Sequence, residues 1–216
     1  MGHGFGAPEF LFLMTGLKWT VLLSIVAFVG GGVAGLLVAI ARTSKNRLLS
    51  RLMAIYIGVF QGTPLLMQLF VVYYGLGLVG IHLPAWAAVA IAFTLSASAF
   101  LGEIWRGAIQ AVPRGQTEAA MALSLPYSSR LRDVILPQAL RIAQPATVGY
   151  LVQLIKGTSL AAIVGFVELA RAGQIVSNQI FEPILVFAIV GSIYFLLCWP
   201  LSLYSARLEA RHAIAR

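Results

Sequence analysis

The chain has 216 residues, 60% hydrophobic and only 10% charged, with a mean hydropathy of +0.91. Roughly a quarter of a typical globular chain is charged, so this composition excludes an ordinary soluble domain and makes a membrane protein the default. The net charge of +8 and pI near 10.2 do not point to nucleic acid, because the few basic residues sit in short loops between apolar runs, where positive-inside bias accounts for them.

The opening MGHGFG lacks the Ser or Thr of a myristoylation signal. Ala39-Ile40-Ala41 resembles a signal cleavage site, but the apolar run before it is too long for a signal core and has no basic start, so it reads as a span. Five spans are expected, at about 19–41, 52–76, 85–109, 143–167 and 183–206. The uncharged stretch from Met53 to Gly102 is about twice the roughly 20 residues one crossing needs, and Gly75, Gly77, Gly80 and Pro84 supply its break. Five crossings put Arg42, Lys45, Arg47, Arg51, Arg106, Arg114, Arg130, Arg132, Arg141, Arg207, Arg211 and Arg216 on one face, and only Arg171 and Lys18 on the other. The basic face should be cytoplasmic, with the N-terminus outside and the C-terminus inside. An odd span count without internal symmetry disfavours an inverted-repeat transporter in one chain.

Several short patterns have plain structural readings. GGGVAG at Gly30 to Gly35 has dinucleotide-loop spacing, but it lies inside an apolar helix; Gly31 and Gly35 instead permit close helix contact. The Lys156 stretch KGTS is not a phosphate loop, because no glycine-rich turn precedes it. Cys198 has no partner for a disulfide or metal cluster. His3, His82 and His212 are scattered and no G-x-S-x-G occurs, so an intramembrane hydrolase lacks its catalytic geometry. Glu103 with Arg106, and Glu168 with Arg171, are spaced for local ion pairs.

Two stretches suggest a solute path. Lys156 lies eleven residues past Pro145, roughly 16 Å into the membrane, where a lysine costs about 3 kcal/mol unless it is paired or wet. Either it faces a water-filled path with Thr158 and Ser159, receiving a substrate carboxylate, or it is a structural or snorkelling lysine. In FQGTPLLMQLF, Pro64 should bend or break the second span, so that Gln61, Thr63 and Gln68 line a cavity or bond between helices.

The polar segment 111–141 is unusual in so apolar a chain. Pro113 and Gly115 should end the third span. Glu118, Ala119 and Ala120 should begin a short helix with the acid in its first turn, and Pro126 should stop it. A second piece, Tyr127 to Leu136, should stop at Pro137. The small face of Ala119, Ala120 and Leu123 suits a groove on another protein, or an ordered loop packed on its own helices.

The stretch EAAMALSLPYSSRLRDVILPQALR resembles the EAA loop of ABC-importer permease subunits. EIWRGAIQAVPRGQTEAA, QGTPLLMQLF and KGTSLAAIVGFVELARAGQ resemble that family's polar amino acid branch, and the likeness runs from about Leu17 to Leu208. It implies an all-α transmembrane fold of five spans, N-terminus outside, in a bacterial cytoplasmic (inner) membrane. It implies a second permease, identical or paralogous, and two cytoplasmic ATPase subunits that bind ATP and magnesium; no cofactor is expected in this chain. An extracytoplasmic substrate-binding protein would deliver a small polar amino acid. Gly115, Gln116, Glu118, Ala119, Ala120, Leu123 and Ser124 would form the coupling helix. Two positions depart from the family pattern: Ser124 stands where a glycine would suit a left-handed cap, and Gly157 where KDTSL commonly has aspartate. An ATP-independent channel or transporter is the alternative, and it predicts flux from the chain alone.

Overall fold

The computed structural model describes residues 4–44 and 46–214, with side chains described to residue 211. His3, Lys45, Arg216 and the side chain of His212 lie outside the described residues. All regular structure among them is helical. In chain order the elements are α1 (Ala7–Thr43), α2 (Arg47–Gly62), α3 (Leu65–Leu78), α4 (Ala85–Ala111), α5 (Arg114–Ala122), α6 (Tyr127–Val164), α7 (Leu169–Ile180) and α8 (Pro183–Ile214). Helices α1, α4, α6 and α8 are long and apolar enough to cross a bilayer, and the bent pair α2–α3 makes a fifth crossing if counted as one.

α1 is longer than the expected 19–41. Its N-terminal turns contain no breaker after Pro8, which sits near the start where a missing N–H costs nothing, and the Glu9 carboxylate accepts from the Gly6 amide. Lys18 therefore lies within the helix and is exposed. Leu13, Gly16, Thr20, Leu23, Ala27, Gly31, Gly35 and Val38 are buried at spacings of three and four, one stripe along the helix.

That stripe packs on α4, the central helix, which also touches α2, α3 and α6. The approach is close enough to require glycine: a Cβ on Gly31 would lie 2.3 Å from that of Ala97, and one on Gly102 would lie 2.7 Å from Val38 Cγ1.

α2 is capped by Asn46, whose Oδ1 accepts from the Leu48 and Leu49 amides. It ends at Gly62, and α3 departs at 105° across Thr63 and Pro64. α3 contains a π-helical stretch, Val71–Gly75, so Gly75 and Gly77 do not break it; the chain turns afterwards at Gly80, with φ +84°.

Pro137 does not stop the helix as expected. A π-helical stretch, Arg130–Ile135, precedes it, and the helix runs on through Pro137 and Pro145. The wide turn relieves the contact between the proline ring and the preceding carbonyls. α6 ends at Gly165, φ +81°, where the Phe166 amide bonds back to Ala161.

α7 falls between two expected spans. Its buried residues Leu169, Ala172, Val176 and Ile180 recur at helical spacing, and they pack with Leu13 of α1 and Val186 and Val190 of α8.

Candidate functional site

The helix in the polar segment starts earlier than the sequence suggests. α4 ends at Ala111, Pro113 is the cap residue and α5 begins at Arg114, so Gly115 lies inside the new helix and Glu118 in its second turn rather than its first. The reason is local: Pro113 caps the helix, and its carbonyl accepts from the Gln116 amide at 3.0 Å, so the first turn forms directly after it.

The C-terminal end of α5 resolves the serine departure. Ser124 adopts φ +58°, the left-handed conformation. Its amide donates to Met121 at 2.8 Å and the Leu125 amide to Ala120 at 3.1 Å, the paired bonds of a Schellman cap. Serine therefore fills the glycine position, at the cost of holding a Cβ residue in left-handed space.

Ala120 is the only residue of α5 that is buried. Gly115, Gln116, Glu118, Ala119, Leu123 and Ser124 are exposed, as are Met121 and the following Tyr127. Gln116 Oε1 accepts from Gln138 Nε2, which ties the first turn of α5 to α6. The expected small face is thus split: Ala120 packs inward on its own chain, while Ala119 and Leu123 face outward.

A cavity of about 220 Å³ lies beside the α2–α3 elbow. Phe60, Thr63, Leu65 and Gln68 come from the elbow, Ser96 and Phe100 from α4, and Tyr150, Gln153 and Leu154 from α6. Phe100 and Tyr150 stack at 5.3 Å and 18°, forming an aromatic wall. Of the residues expected to meet substrate, Thr63 and Gln68 line this cavity. Gln61, Lys156, Thr158 and Ser159 lie outside its lining.

Chemistry explains this division. Pro64 has no N–H, so the Phe60 carbonyl loses its helical donor; Gln68 Nε2 supplies one at 2.8 Å and also reaches Thr63 O and Oγ1, each at 3.0 Å. Gln68 thus staples the elbow, and its Oε1 is buried with no hydrogen-bond partner among the described residues. Thr63 Oγ1 donates to Val59 O. Thr158 is fully buried and donates to Ile155 O, and Ser159 donates to Lys156 O, so both hydroxyls serve the helix end. Lys156 is exposed. A Cβ on Gly157 would sit 3.4 Å from Leu65 Cδ2, so the Lys156–Gly157 turn abuts the cavity rim. Ser96, Tyr150 and Gln153 were not legible as cavity-lining residues, because nothing in their local pattern distinguishes them from helix-packing polar groups.

The two expected ion pairs behave differently. Glu103 and Arg106 form a bidentate pair, extended by Arg106 to Gln110. Glu168 makes none with Arg171, whose guanidinium turns to Gln174 instead. Glu168 is fully buried as the cap of α7: its carboxylate accepts from the Ala170 and Arg171 amides, from Tyr194 Oη of α8 at 2.8 Å and from Thr20 Oγ1 of α1. Four donors replace water there, so a distant guanidinium adds little.

Comparison with known proteins places this architecture. The family described as binding-protein-dependent transport system inner membrane component matches residues 31–213, and the chain belongs to it. The chain is 36% identical over 205 residues to the probable amino-acid ABC transporter permease protein YckA of Bacillus subtilis, covering 95% of this chain and 91% of that one. It is 35% identical to the putative glutamine transport system permease protein GlnP of Rickettsia felis, covering 94% of each. A crystal structure of an amino acid ABC transporter with histidines aligns with a TM-score of 0.87 at 32% identity, over 93% of this chain and 94% of that one. The chain is therefore a permease component of an ABC importer, a transport subunit and not an enzyme.

Proposed function

We propose that this chain carries a polar amino acid across a bacterial cytoplasmic membrane, crossing it five times with its N-terminus outside. α1 and α4 meet the start of α6 through Leu36, Ala39, Trp105, Ile109 and Leu136, so Arg42, Arg106 and Arg130 share one end. Positive-inside bias makes that end cytoplasmic. α5 lies there and is the lever for two ATPase subunits, which bind the ATP and magnesium. A second permease, identical or paralogous, completes the pathway, and an extracytoplasmic binding protein supplies the solute.

The observation that carries this reading is α5 itself: a capped, nine-residue helix with Glu118, Ala119 and Leu123 exposed together. Leu123 is 74% exposed, a large apolar side chain left mostly uncovered. The cavity at the elbow receives the solute, with Lys156 at its rim to meet the carboxylate.

Co-purification from native membranes tests the proposal. Recovery of an ATPase subunit and a second permease with this chain is the expected result. Solute flux through liposomes containing this chain alone overturns it.

A further inference from the structure

We infer that the elbow cavity accepts an amino acid whose side chain is uncharged and hydrogen-bonding, and that Gln153 determines this class. The inference rests on the reading of this cavity as the substrate site.

None of the chain's seven acidic residues lines the cavity. Glu103 is held by Arg106, and Glu168 is buried among Thr20, Tyr194 and two amides. Glu9 holds the Gly6 amide. The other four lie in the coupling segment (Glu118, Asp133), the α7–α8 turn (Glu182) and the C-terminal part of α8 (Glu209). A cationic side chain entering the cavity would lose water and meet no counter-charge, which is strongly unfavourable.

Lys156 adds to the discrimination. It follows Gln153 by three residues on α6, so the two side chains share a helix face. A cation beside Gln153 is repelled by Lys156, while the α-carboxylate common to all amino acids is attracted there. An anionic side chain would compete with that carboxylate for the single lysine at the rim.

The remaining polar groups are neutral. Thr63 Oγ1 and Gln68 Nε2 are engaged in the elbow, and the buried Gln68 Oε1 adds an uncharged acceptor. Gln153 is exposed, lines the cavity and makes no side-chain hydrogen bond among the described residues. Its amide offers both donors and an acceptor, which suits a carboxamide or hydroxyl. The volume, about 220 Å³, is below the roughly 300–1,000 Å³ of drug-sized sites and fits one small solute.

The test uses the assembled transporter, purified with its partner subunits but without the binding protein, which would otherwise impose its own selectivity. Unlabelled L-glutamine, L-arginine and L-glutamate compete against radiolabelled L-glutamine. L-Glutamine should displace the label about tenfold or more better than the two charged amino acids. Gln153→Glu, assayed by direct binding of labelled L-arginine and L-glutamine, should shift the ratio toward arginine by a similar factor, and Gln153→Leu should weaken L-glutamine. Because the readout is a ratio of affinities, loss of folded protein does not move it. Wild-type binding of arginine equal to or tighter than glutamine overturns the inference, as does an unchanged ratio in Gln153→Glu; either leaves the cavity as the substrate site. A transporter that imports amino acids while the cavity retains none of the three overturns the substrate-site reading, and this inference with it.

Discussion

Gln68 Nε2 lies 2.8 Å from the carbonyl oxygen of Phe60, the acceptor that Pro64 leaves without a backbone donor. One side chain therefore completes the hydrogen bonding of a 105° break at the edge of the elbow cavity. Gln68→Ala should destabilise the protein by about 1 kcal/mol, the cost of orphaning a part-buried carbonyl. Pro64→Ala restores a backbone donor, so Gln68→Ala should cost less in that background. Thermal unfolding of the four variants in detergent forms the double-mutant cycle; equal losses in both backgrounds would refute the staple.

The contact of α1 with α4 makes neighbouring glycines unequal. A Cβ on Gly31 collides with Ala97, whereas one on Gly32 meets only Trp105 Cη2, at 3.6 Å. Gly31→Ala should cost about 1–3 kcal/mol through overpacking. Gly32→Ala should be neutral or slightly stabilising, since alanine is the better helix former. Melting temperatures of the two variants check the contrast.

Ser124 holds φ +58° at the end of α5. Ser124→Gly should stabilise the cap by about 1 kcal/mol, because glycine has no Cβ to strain there, while Ser124→Val should loosen the helix end by at least as much. Hydrogen exchange of the Ser124 and Leu125 amides, slower in the glycine variant and faster in the valine variant, is the measurement.

Glu168 ties α7 to α1 and α8 through Thr20 and Tyr194. Glu168→Gln puts an amide donor against backbone N–H and hydroxyl donors, and should cost about 3 kcal/mol or more. Thr20→Val removes the acceptor of the Leu169 amide and should cost about 1–3 kcal/mol. Unfolding in detergent reads both, and Glu168→Gln should be the more damaging.

Much of this architecture was legible in the sequence, and the reasons for the misses are physical. The Gly31–Gly35 spacing and the break at Pro64 follow from elementary sterics, and both stand in the structure. The role of Gln68 was hidden because the proline's orphaned carbonyl and the amide that answers it are eight residues apart; the pairing depends on the elbow angle, which no local pattern encodes. α7 was missed because its apolar face is short and mixed with Arg171, Gln174 and Asn178, although Leu169, Ala172, Val176 and Ile180 carry the period. Pro137 misled for the opposite reason: the punctuation is real, but a π turn absorbs it. Gln153 became visible only when α2, α3, α4 and α6 met around one cavity.

The central claim is that α5 is a cytoplasmic lever held by a separate ATPase. Ala119, exposed on α5, replaced by cysteine in a Cys198→Ala background, gives one thiol to follow with a membrane-impermeant maleimide. The account predicts labelling in inside-out vesicles only, and protection when the ATPase subunits are bound. Labelling of right-side-out vesicles, or labelling from inside that the ATPase does not change, would contradict it.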